Sequence, residues 1–126
     1  MNYLDELKKL NLPLGEYAVF GSGVLAIRGL RENRDLDIIV SDKLWNELIR
    51  KHSVSQRGAI EIGNIEIWNE KGVKPLCDIT GFIVRADIIG GIPYVCLEDL
   101  RDWKIKKGRE KDLEDVRLID DFLNQH

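Results

Sequence analysis

The sequence predicts an α+β domain, a few short strands in one sheet with amphipathic helices packed on it. Three observations carry this. Tyr17-Ala18-Val19-Phe20, apolar and bounded by Gly21, has the length and composition of a buried strand. Alternating runs meet at Gly63-Asn64, and two further short runs flank Gly90-Gly91, as β-hairpins do. Leucines recur at helical spacing near both ends of the chain. A length of 126 residues suits a single domain with one core, spanning 1–126.

Taken in order, Leu4, Leu7 and Leu10 make the apolar stripe of a first helix that stops before Pro13. Tyr17 to Phe20 is the first strand. Gly21-Ser22-Gly23 is a tight turn, and Val24 to Leu30 reads as a helix whose N-terminus points back at it. Exposed N–H groups at such a terminus favour phosphate. After the charged link Arg31 to Arg34, Asp35 to Val40 forms a second strand. Period-two alternation puts Asp35 and Asp37 on one face, with Leu36 and Ile38 on the other. Two neighbouring carboxylates repel each other, and a divalent cation would relieve that.

Ser41-Asp42 starts a helix carrying Leu44, Trp45, Leu48 and Ile49, and His52 to Gly58 is a polar connection. A two-residue loop between Ile62 and Ile65 sets Glu61 opposite Glu66, which is unfavourable unless something positive sits nearby. Leu76 to Phe82 is ambiguous, with a short helix as one reading. Val84 to Ile89 and Ile92 to Cys96 form the second hairpin. Leu97, Leu100 and Trp103 stripe a helix closed by Gly108, with Lys104 at the stripe's edge. Asp112 to Asp115 opens a last helix.

Composition excludes several classes. The net charge of -3 gives no global attraction for nucleic acid or anionic membranes, so an anionic substrate must be held by local cations or by metal. Cys77 and Cys96 lack metal-ligand spacing and suit reduced cysteines of a cytoplasmic protein. No apolar run reaches membrane length, and residues 1–14 show no signal-peptide pattern. His52 and His126 are the only histidines, no Ser-His or Cys-His pair is suggested, and no Walker loop is present.

The apolar strand, Phe20-Gly21-Ser22, the helix and Asp35-Leu36-Asp37-Ile38 together resemble the nucleotidyltransferase fold of the polymerase β superfamily. Leu97 to Lys104 and Gly108 to Asp115 resemble the C-terminal end of its small bacterial and archaeal members, so the likeness spans roughly residues 17–118. It implies a nucleotidyltransferase-like short mixed β-sheet with helices packed on it. It also implies transfer of a nucleoside monophosphate from an NTP to a hydroxyl on protein, RNA or a small molecule, with release of pyrophosphate. Two Mg²⁺ ions about 3.5–4 Å apart would neutralise charge and hold the oxygens in line, with Mn²⁺ as the alternative metal. On this resemblance Asp35 and Asp37 hold metal. A third acid, for which Glu66 is the choice ahead of Glu61 and Asp78, completes the catalytic set. Gly21, Ser22 and Gly23 cradle the triphosphate, with Lys104, Arg109 and Lys111 as further nucleotide ligands. Replacing Lys104 by Met would then weaken NTP binding and spare the fold. Small members often act beside a helical partner, as homo-oligomers or in toxin–antitoxin-like pairs. The alternatives are a catalytically silent nucleotide-binding or regulatory module of the same fold, and an RNA-binding protein using Arg101 to Lys111, which the acidic balance opposes.

Overall fold

The computed structural model describes residues 1–126. Its elements run α1 (Leu4–Leu10), β1 (Tyr17–Phe20), α2 (Ser22–Ala26), β2 (Leu36–Val40), α3 (Asp42–Leu48), β3 (Ile60–Ile62), β4 (Ile65–Trp68), α4 (Ile79–Val84), β5 (Asp87–Ile89), β6 (Ile92–Tyr94), α5 (Leu97–Lys107) and α6 (Glu110–Gln125). The six strands form one sheet in the order β3-β4-β2-β1-β6-β5. It is mixed: β1 runs antiparallel to β2, while β2 pairs with β4 and β1 with β6 in parallel.

The central strands are apolar on both faces except at Asp37, near the start of β2, which is only half-buried. Val19, Leu36, Ile38 and Ile39 are fully buried in one core cluster that also takes Leu7, Leu44, Phe82 and Ile119 from four different helices. The two hairpins follow the expected registers, Ile62 opposite Ile65 and Ile89 opposite Ile92. Gly90 and Gly91 both have positive φ, as a two-residue turn of this kind requires. Across the first hairpin, the α1 residue Glu6 accepts from the Asn64 backbone at 3.2 Å and from its side chain at 3.0 Å, fixing the turn to the helix.

Four boundaries differ from the sequence reading. The helix after the Gly-Ser turn begins at Ser22, and its regular part stops at Ala26. Gly29 takes φ 72°, and Gly29 and Leu30 donate back to Ala26 and Leu25, closing the end as a Schellman turn. Asp35 lies in a bend before β2, where the Asn33 side chain, not a neighbouring strand, takes its carbonyl at 3.1 Å. The ambiguous segment becomes α4, capped by Asp78 and continuing to Val84, so the second hairpin starts only at Asp87. Finally, α6 begins at Glu110, because the Asp112 carboxylate reaches back to the Arg109 backbone N–H at 3.3 Å.

Candidate functional site

The Gly21 turn leaves the C-terminal end of β1 beside the start of β2, and its conformation (φ 67°, ψ −139°) disfavours any residue with a side chain. A Cβ at Gly21 would also stand 3.5 Å from Asp37 Oδ2. The turn therefore lies against the first acid of the site. Gly23 has another purpose. A Cβ there would come within 2.7 Å of Val19 and 2.8 Å of Leu36, so this glycine allows α2 to press onto the sheet.

The parallel β2–β4 ladder sets Asp37 directly beside Glu66, and the antiparallel β3–β4 ladder sets Glu61 on Glu66's other side. The positive group that such crowding demands is Arg57, 2.7 Å from Glu66 and 3.6 Å from Glu61. Trp68 donates its indole N–H to Asp37 Oδ1 at 3.2 Å. Burial pushes the Asp37 carboxyl up to about 7, helped by its hydrogen bond to Glu66 and the nearby charges of Glu66 and Asp35, and opposed by the Trp68 bond. For Glu66, burial also pushes upward, but hydrogen bonds with Asp37 and Arg57 and the Arg57 charge outweigh it and hold this acid below its usual range. The two neighbouring acids are thus driven apart, Asp37 above its ordinary value and Glu66 below it.

These groups open into a cleft of about 380 Å³ whose apolar lining is Phe20, Trp68, Val73 and Trp103. Every site residue expected from the sequence lines it except Gly23. Eight basic side chains line it against five carboxylates, so the cleft is locally positive although the chain is negative. Arg34, Lys74, Lys107 and Lys111 make no ion pair there, and Lys107 stands over the Trp103 ring at 4.8 Å. Glu61 and Asp78 lie outside the lining, the latter occupied as the cap of α4, where it accepts from Gly81 at 3.1 Å.

Lys104 is neither snorkelling nor free. Its ammonium is buried at the α5–α6 contact, 2.8 Å from Asp115 and 3.5 Å from Asp112. Arg109 holds Asp112 through its guanidinium at 2.6 and 3.2 Å, and Arg31 holds both oxygens of Asp115 at 2.8 and 2.9 Å. The Asp112 carboxyl, pushed up by burial but pulled further down by Arg109 and Lys104, sits below its ordinary value. Sequence reading missed Arg57, Arg34, Lys74, Lys107 and Trp68 as cleft residues. Only the opposed glutamates, which need a cation, hinted at one of them.

A crystal structure of a "putative nucleotidyltransferase" from Thermotoga maritima aligns with 98% of this chain and 94% of its own, at TM-score 0.60 and 24% identity. The fold is nucleotidyltransferase-like. No protein-family profile and no curated protein matches the chain at a significant level. Within this nucleotidyltransferase-like fold, no three His, Cys, Asp or Glu side chains converge as a ready metal cage, and no helix is long and apolar enough to cross a membrane.

Proposed function

We propose that the protein transfers a nucleoside monophosphate from an NTP to a hydroxyl acceptor and releases pyrophosphate. One observation carries the reading: Asp37 and Glu66 stand side by side next to the Gly21-Ser22 turn, inside a cleft where cations outnumber acids. Paired hard oxygens suit Mg²⁺, which binds through one or two carboxylates plus substrate phosphates and seldom needs an all-protein cage. This donor set fits metal that arrives with the nucleotide. When bound, the metal supplies charge neutralisation at the transferring phosphorus and alignment of the attacking and leaving oxygens.

In this reading Asp37 and Glu66 hold the metal, with Asp35 at the adjoining bend. A carboxylate of the pair takes the proton of the attacking hydroxyl. Ser22 and the Gly21 backbone bind phosphate oxygens, and Arg34, Lys74, Lys107 and Lys111 neutralise the polyphosphate. Lys104 and Arg109 act behind them, building the wall that presents Lys107 and Lys111. The acceptor, on protein, RNA or a small molecule, comes from another molecule, with a helical partner protein or a second copy of the chain as the expected source.

The test is incubation with Mg²⁺ or Mn²⁺ and α-³²P-labelled NTPs, with cell lysate as acceptor. Covalent label on an acceptor, lost in Asp37→Asn, is the expected result. Calorimetric NTP binding without any label transfer would instead identify a silent nucleotide-binding module.

A further inference from the structure

Arg57 sits on a built turn. Ser55 donates to Ala59 at 2.8 Å, Gly58 donates to Ser55 at 3.0 Å, and Val54 bridges Ile60 at the start of β3. From this turn the guanidinium lies over the acid strand, 2.7 Å from Glu66 Oε1 and 3.5 Å from Oε2, and 5.5 Å over the Trp68 ring. The exposure is asymmetric. The Arg57 side chain is 60% exposed, while that of Glu66 is only 13% exposed. A solvent-reaching cation therefore covers a mostly buried carboxylate from outside, and its named polar contacts are side chains that can be exchanged.

A carboxylate oxygen held by a guanidinium N–H is not free to coordinate a cation. Arginine suits such a cover because its charge is fixed and its planar fork both pairs with carboxylates and stacks on aromatic rings. It also has somewhere to go. Glu61, 3.6 Å away and 45% exposed, offers a second carboxylate, and Trp68 offers a ring face.

We infer that Arg57 is the resident counter-ion of the Asp37–Glu66 pair, a side chain that excludes free divalent cations and yields Glu66 only to metal delivered with a polyphosphate, which then takes the guanidinium. This rests on the proposed metal-dependent transfer and adds a residue that sets how metal enters. It also gives Glu61 a use, as a second carboxylate that keeps the guanidinium close to the cleft while the polyphosphate takes it over.

The experiment is a nucleotide-free Mn²⁺ titration of the full chain, reading free Mn²⁺ by electron paramagnetic resonance. Wild type, Arg57→Gln, Arg57→Lys and Asp37→Asn are compared, each shown to be folded by its melting curve. Removing a unit charge a few ångströms from the metal position should tighten Mn²⁺ binding in Arg57→Gln about tenfold, after allowance for solvent screening. Arg57→Lys keeps the charge and should stay close to wild type. Unchanged or weaker binding in Arg57→Gln overturns the inference. If Asp37→Asn still lowers Mn²⁺ affinity in that case, the proposed metal site stands without the counter-ion role. If none of the four proteins binds Mn²⁺, the inference falls, and the proposed metal site is decided separately by repeating the wild-type and Asp37→Asn titrations with NTP present.

Discussion

The cleft has two charged walls, and they differ in how their charges are matched. At the α5–α6 contact, Asp112 and Asp115 are buried, and three cations from α5, the N-cap of α6 and the link before β2 saturate them. On the sheet, Asp37, Glu66, Asp35 and Glu61 crowd together with Arg57 as the single basic partner engaged with them. The first wall is satisfied within the protein and holds helices together. The second is short of positive charge, and burial among these acids pushes Asp37 well above the ordinary carboxylate range. Buried charge that is fully paired serves packing, whereas unbalanced charge facing a cavity leaves room for a ligand.

The largest expected effect is on the sheet side. Asp37→Asn should lower label transfer by at least ~100-fold, the scale for removing one group that stabilises transition-state charge. Its effect on the metal-free fold should have the opposite sign. A carboxyl with a folded value near 7, well above its unfolded value, binds its proton more tightly when folded, so its stabilisation fades as pH rises from the unfolded value through 7. Melting temperature in EDTA should fall between pH 5 and 8 in wild type and stay flat in Asp37→Asn. Asp112 is held below its usual value, so its contribution is present at neutral pH and is lost as pH drops through its folded value. Asp112→Asn should make that acid limb shallower, since Glu66 and Asp120 are also held low and still contribute to it, and should leave the neutral limb in place.

Next in size is Lys104→Met. The sequence reading places its cost in nucleotide binding, but the geometry moves it to stability. The substitution removes the buried ammonium that two carboxylates share, and the expected loss is about 3 kcal/mol in urea unfolding, the low end for breaking a buried pair because Arg31 and Arg109 remain. The smallest effect separates exposed lysines. Lys111→Met, in the cleft, should weaken calorimetric NTP binding a few-fold, within the ~1 kcal/mol range of exposed ion pairs. Lys106→Met, outside the cleft, should leave it unchanged.

What could be read from the sequence follows one physical distinction. Tyr17–Phe20, the Gly63-Asn64 and Gly90-Gly91 hairpins and the Glu61–Glu66 register are local consequences of period-two geometry, and the structure reproduces them. The choice of Glu66 over Glu61 and Asp78 comes from the resemblance, which calls for a third acid on a strand beside Asp35 to Val40, and β4 pairs Glu66 with Asp37. Lys104's partners could not be read, since Asp112 and Asp115 meet it only once α5 and α6 pack. Arg57 was hidden for the same reason, a polar loop residue whose partners lie on two other strands. Gly23 illustrates the converse: two glycines flank one serine, yet one serves the turn and the other serves close packing.

The parallel pairing of β2 with β4 also bears on how the chain assembles. Asp37 and Glu66 are separated by 29 positions, with α3 and β3 between them, so their meeting is a non-local closure that carries a chain-entropy cost. The β3–β4 hairpin, by contrast, is a local element that can form before it docks. A chain caught with its hairpins made but β4 undocked would have much of its secondary structure and no Asp37–Glu66 pair, so if the proposed metal site is real, the gain of divalent-ion affinity in a refolding experiment should mark the end of folding and not its beginning.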